Sequence, residues 1–170
     1  MCELCAGKAV IRHGGEGETI WFDGGLLTIT ASAEDTGGAF AVFEYVASRG
    51  KASPLHRHPD ADETFWLLEG SIRVHIDGVE HEGSDGATFV FRRDVPHAYA
   101  ITSEVARLIM MLTPGGGENF FREAGTPAER RELPPPSERN LEQFQAAAAG
   151  NGVVLLGPPP FDMASIQAGA

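Results

Sequence analysis

Between Thr19 and Thr113 the chain is cut into short apolar or alternating stretches by turn residues at close intervals. Thr19 to Phe22 and Leu26 to Thr30 flank Asp23-Gly24-Gly25, and Asp77-Gly78 follows Ser71 to Ile76. Asp-Gly between alternating segments is the composition of a tight two-residue hairpin turn, because both positions of such a turn need a left-handed backbone. Further stretches suited to strands are Ala39 to Ala47, Ala52 to His58, Glu63 to Leu68, Ala87 to Phe91, His97 to Thr102 and Val105 to Leu112. With 21 Gly and 11 Pro in 170 residues, long helices and βαβ winding are excluded over this region. The pattern predicts an all-β sandwich or barrel of antiparallel strands.

The pattern changes after Thr113-Pro114-Gly115-Gly116-Gly117. Glu118 to Ala124 and Pro127 to Leu133 read as short helices bounded by Gly or Pro, and Pro134-Pro135-Pro136 as a stiff spacer. Ser137 is placed to cap a helix through Ala149, with Leu141, Phe144 and Ala148 on one stripe and Gly150 at its end. The division expected is a tail over 1–18, a barrel over 19–115, and a helical, Pro-rich extension over 116–170 packed on the barrel or closing its mouth.

Charge narrows the partners. Thirteen Lys and Arg against 24 Asp and Glu give −11, which repels phosphate backbones and anionic membrane surfaces. No apolar run approaches a membrane span, and no basic segment followed by an apolar run marks a secretion signal. Two cysteines, Cys2 and Cys5, cannot staple a fold, and no second ligand pair accompanies their C-x-x-C; they read as silent residues of a tail. A reducing, cytoplasmic setting is expected.

Chemistry concentrates in three of the 6 histidines. His56 and His58 stand two apart in a strand-like stretch, so both rings point to one face, about 7 Å apart along the chain. Pro59 stops that strand, Asp60-Ala61-Asp62 turns it, and Glu63 opens the next one, from which a carboxylate reaches back. His97 offers a third imidazole from a neighbouring strand. Three neutral nitrogens and one anionic oxygen suit a divalent transition metal: Fe, Mn, Ni, Co, Cu or Zn, among which the donor set does not choose. His13, His75 and His81 have no such company and read as surface or structural residues.

Gly50-x5-His56-x-His58-x4-Glu63-x6-Gly70 resembles the first motif of the cupins at every position. Fifteen residues intervene before Gly86 opens a stretch resembling the second motif, which ends in His97. That stretch departs from the family pattern at Arg92, Asp94 and Ile101, where Pro, Gly and Asn are usual. The departures bear on the loop and the pocket more than on the ligands, and Asp tolerates a left-handed backbone. The flanking strands and the Pro/Gly-rich tail also resemble single-domain cupins related to quercetin 2,3-dioxygenase. The resemblance implies a double-stranded β-helix, or jelly-roll, barrel with its metal inside, held by His56, His58, Glu63 and His97; related proteins are often homodimers.

Face alternation sketches a pocket. If Glu63 and His97 face inward, so do Phe65, Leu67, Tyr99 and Ile101, while Trp66 and Leu68 face outward. An apolar, aromatic cavity with one phenol suits a flat aromatic ligand better than a sugar. The leading expectation is therefore a metal-dependent dioxygenase that brings an aromatic or flavonol-like substrate and O2 together, with Glu63 as ligand and proton acceptor and Tyr99 orienting substrate. Two other classes use the same residues: a non-oxidative isomerase, cyclase or lyase, and a barrel that binds without catalysis.

Overall fold

The computed structural model describes residues 9–136 and 139–169; the positions of Cys2, Cys5 and Ser137 lie outside them. The strands are β1 (Glu18–Phe22), β2 (Gly25–Ala31), β3 (Ala41–Ser48), β4 (Leu55–Arg57), β5 (Asp62–Glu69), β6 (Ser71–Ile76), β7 (Val79–Ser84), β8 (Thr88–Phe91), β9 (His97–Ile101), β10 (Val105–Thr113), β11 (Thr126–Pro127) and β12 (Val154–Gly157). They form two antiparallel sheets, ordered β11-β1-β2-β3-β10-β5-β8 and β12-β4-β9-β6-β7. This is an all-β jelly-roll barrel with a short helical extension, as the strand pattern and the motif resemblance predict.

Alternation builds the core. Phe43 and Tyr45 on β3 stand in register with Met110 and Leu108 on β10, which pair in turn with Phe65 and Leu67 on β5. All six are buried, and Trp66 and Leu68 turn to the solvent side. The facing sheet answers with Ile72 and Val74 of β6 and with Tyr99 and Ile101 of β9. Strand β9 is buried on both sides, and its sequence His-Ala-Tyr-Ala-Ile divides the work. The three large side chains face the barrel, while Ala98 and Ala100 join Ala52, Phe161 and Ile166 in a second, smaller cluster. The small side chains let the helix α4 (Met163–Ala168) and the segment before it lie close on the outer face of the sheet.

Both Asp-Gly pairs make the expected turns. Asp23 and Gly24 have φ of 49° and 75°, and Asp77 and Gly78 have φ of 47° and 89°; Phe22 pairs with Gly25 and Ile76 with Val79 across them. Gly70, the last glycine of the first motif, has φ 93°, and a Cβ there would sit 2.5 Å from the Val105 carbonyl oxygen. Only glycine satisfies both demands.

The extension departs from expectation in places. Helix α2 (Glu118–Ala124) forms as predicted and buries Phe120 and Phe121. The helix expected over Pro127 to Leu133 is absent: Thr126 and Pro127 pair with Trp21 and Ile20 of β1, and the chain runs on along that edge. The Trp21 indole N–H donates to the Glu132 carbonyl and the Arg131 guanidinium to the Gly17 carbonyl, so sheet-edge bonds replace helical ones. Helix α3 spans Leu141–Gly150 and is capped by Asn140, whose side chain accepts from the Gln143 N–H at 3.1 Å. Its buried stripe is Phe144, Ala147 and Ala148, with Leu141 left in solvent rather than on the stripe. Strand β7, the one-turn helix α1 (Ala33–Thr36) and α4 have no counterpart in the predicted elements. No helix among the described residues is long and apolar enough to cross a membrane.

Candidate metal centre and its cavity

Two sheets meet at the site. His56 lies on β4 directly opposite His97 on β9, His58 follows two residues on, and Glu63 stands on β5 of the other sheet. One ligand atom from each of the four lies within 4.8 Å of the other three. The ring centroids of His56 and His97 are 4.4 Å apart, those of His56 and His58 5.0 Å, and those of His58 and His97 5.5 Å.

The backbone sets the tautomers. His56 Nδ1 lies 2.9 Å from the Pro54 carbonyl and His97 Nδ1 2.9 Å from the Val95 carbonyl, the same two-residue reach on two strands. An Nδ1–H that donates to a carbonyl leaves the Nε2 lone pair free and aimed, as metal-ligating histidines require. His97 Nε2 then meets Glu63 Oε2 at 3.0 Å and His58 Nε2 lies 3.6 Å from the same oxygen. His58 Nε2 is buried without a hydrogen-bond partner. An orphaned nitrogen and acceptors turned on one another are costly in a protein interior, and a cation among them removes both costs. The residues fit a divalent metal.

The surroundings hold the donors in their binding forms. Burial pushes the His56 imidazole down to about 3, with the neighbouring His97 and His58 rings adding to the shift, so His56 is neutral. Burial alone would raise the Glu63 carboxyl; the His58 and His97 imidazoles beside it more than offset this and hold it well below the usual carboxylate range. Phe91, which pattern reading left unassigned, stacks on His97 with centroids 4.3 Å apart and planes 13° from parallel, fixing the ring from the other side.

The second-motif loop survives its substitutions. Asp94 has φ 66°, the left-handed conformation expected of it. Its N–H donates to the His58 carbonyl at 2.9 Å, and its carboxylate pairs with Arg57. The loop is thereby tied to the strand that carries two of the histidines.

A cavity of about 370 Å³ opens over the cluster and is lined in part by His56, His58 and Glu63. Phe65 and Tyr99 line it as the alternation predicts. Leu67 and Ile101 do not: both face inward but lie deeper, wholly buried in the barrel core. Burial raises the Tyr99 hydroxyl well above the usual phenol range, so it stays a neutral donor. Much of the remaining wall comes from parts of the chain remote in sequence: Met110 and Leu112 from β10, Phe120 and Phe121 from α2, and Phe144 and Val153 from α3 and the segment after it. No local spacing marks the residues of the extension; their one signal is the aromatic content of the tail. His13 and His81 are exposed, and His75 packs its ring edge-on to Phe161, outside the cluster.

A family model described as Cupin domain matches residues 42–113. The chain is 29% identical over 148 residues to quercetin 2,3-dioxygenase of Bacillus subtilis, covering 86% of this chain and 44% of that protein. It is 34% identical over 92 residues to Protein SchB of Streptomyces halstedii, covering 52% and 63% respectively. The chain thus spans less than two thirds of either relative's length. Among solved structures, an RmlC-like cupin from Shewanella frigidimarina superposes with a TM-score of 0.56 at 17% identity, over 64% of this chain and 93% of the other. At that identity the likeness is one of fold.

Proposed function

We propose that this chain, whose residues 42–113 match the Cupin domain family and which resembles quercetin 2,3-dioxygenase of Bacillus subtilis, is a metal-dependent dioxygenase acting on an aromatic, flavonol-like small molecule with O2. One observation carries the reading: the His56, His58, Glu63 and His97 donors converge at a cavity walled mainly by aromatic and aliphatic side chains. A divalent transition metal bound there would lower the pKa of a substrate hydroxyl and supply the redox capacity that reaction with O2 needs. His56, His58 and His97 would hold it through Nε2. Glu63 lies within the same cluster and accepts the substrate's hydroxyl proton, a role its anionic form suits. Tyr99 donates a hydrogen bond that orients the substrate. Phe65, Phe120, Phe121 and Phe144 pack against the aromatic rings and exclude water. Both atoms of O2 end in organic product, so no external reductant is required.

Oxygen uptake by metal-loaded protein mixed with flavonols tests this. Uptake should match substrate loss one to one, and substrate loss should cease under anaerobiosis. Glu63→Gln should lower kcat by about 10²-fold or more, the usual worth of a positioned proton acceptor. Turnover that continues unchanged without O2 would refute the dioxygenase and favour isomerase or lyase chemistry at the same residues. A fully active Glu63→Gln would remove the proton role.

A further inference from the structure

Asp23 brings a carboxylate to the cavity that the metal cluster does not use. It lies in the two-residue turn between β1 and β2 and is among the residues lining the cavity. Its side chain is only 12% exposed. Asp60 also lines the cavity but is exposed, so Asp23 is the enclosed one of the two. The Arg139 guanidinium grips Asp23 as a fork, with Nε donating to Oδ1 at 2.8 Å and a terminal N–H to Oδ2. The same guanidinium donates to the Ala52 carbonyl at 3.2 Å and lies over the Phe144 ring, 4.7 Å from its centroid. Burial raises the Asp23 carboxyl, against the pull of Arg139.

The fork occupies one acceptor site on each oxygen, and a carboxylate has about four. Two remain for a donor that enters the cavity. The turn backbone and Arg139 fix the carboxylate beforehand, so a ligand hydroxyl meeting it pays little ordering entropy. The surrounding wall, Phe22 and Phe144 among it, is apolar and shields such a bond from water.

We propose that Asp23 is a specificity-determining residue whose carboxylate accepts a hydrogen bond from a second hydroxyl of the aromatic substrate, away from the hydroxyl held at the metal cluster. The inference rests on the reading of the cavity as a site for hydroxylated aromatics, and it adds which substituents are selected. A site built to receive a hydroxyl rejects the analogue lacking it far more strongly than an apolar pocket would.

The test is a binding titration of metal-loaded protein with 3-hydroxyflavone, 3,7-dihydroxyflavone and 3,4′-dihydroxyflavone, with metal content measured on the same samples. At least one dihydroxyflavone should bind about 10-fold more tightly than 3-hydroxyflavone, the worth of one charge-assisted hydrogen bond shielded from water. In Asp23→Asn that advantage should shrink to within about 2-fold, with 3-hydroxyflavone affinity and metal content retained. Asp60→Asn keeps Asp23 and its ion pair and should keep the advantage, so the assignment also stands on a variant that leaves the ion pair intact. Equal binding of all three flavones by the unmodified protein would overturn the inference alone. So would an advantage that survives in Asp23→Asn or vanishes in Asp60→Asn. Failure of metal-loaded protein to bind 3-hydroxyflavone at all would refute the aromatic reading of the cavity and take the inference with it.

Discussion

Phe121→Ala asks whether the extension is part of the barrel or an accessory laid upon it. Phe121 sits on α2 and is 6% exposed. Its ring meets Phe22 of β1 and Phe43 of β3 edge-on, with centroids 4.9 Å away in each case, and Phe120 at 5.3 Å. Truncating a buried phenylalanine costs about 3–5 kcal/mol through lost transfer free energy and the void left behind. One side of this ring already faces the 370 Å³ cavity, so part of the new void joins existing space and the loss of contact is one-sided. The lower end, about 3 kcal/mol, is therefore expected. For a domain of this size that lowers Tm by about 6–12 °C. Urea denaturation of chelator-treated protein, followed by far-ultraviolet circular dichroism, measures it without a contribution from bound metal. A single cooperative transition shifted by that amount places α2 in the barrel's own core. A loss under about 1 kcal/mol, or a separate early transition for the extension, would refute the shared core.

Two more outcomes follow from the site and the surface. Inductively coupled plasma mass spectrometry should find close to one divalent transition metal per chain, lost in both His56→Ala and His97→Ala; retention in either variant would displace that histidine from the ligand set. Asp35 supplies a pH signature. The Arg12 guanidinium, against some burial cost and with help from Ser32, holds its carboxyl down to about 2 from an ordinary 3.8. A depressed carboxyl stabilises the fold above its unfolded pKa, and the contribution is lost as pH falls towards the folded one. The stability gap between the unmodified protein and Asp35→Asn should be constant above about pH 5 and close between pH 4 and 2; a gap that does not change with pH would refute the pair.

What was legible in the sequence was what depends on short-range spacing. Period-two alternation placed Phe65, Trp66, Leu67 and Leu68 on their correct faces, because a strand's geometry allows no other arrangement once one residue is assigned. The Asp-Gly pairs located two hairpins for the same local reason. Strand β7 escaped because Val79-Glu80-His81-Glu82-Gly83-Ser84 is almost wholly exposed and carries no apolar alternation; pairing with β6 alone makes it a strand. Pro127 to Leu133 has the composition of a short helix, which does not show the β1 edge that captures it.

The site divides along the same line, and the division says where its chemistry and its selectivity reside. Its four donors lie on two short motifs, so their spacing shows in sequence; the donor cluster is a local property of the chain folded once into strands. The cavity is not. Leu67 and Ile101 obey the alternation yet sit too deep to line it, whereas Phe120, Phe121, Phe144 and Val153 line it from the extension, far along the chain from both motifs. Asp23 shows the coupling most directly: a turn residue of the second barrel strand's hairpin gains its partner, Arg139, from 116 positions away. Exchanging the extension while keeping the barrel would then preserve the donors and alter what reaches them, so related barrels with different tails would share a metal and differ in ligand.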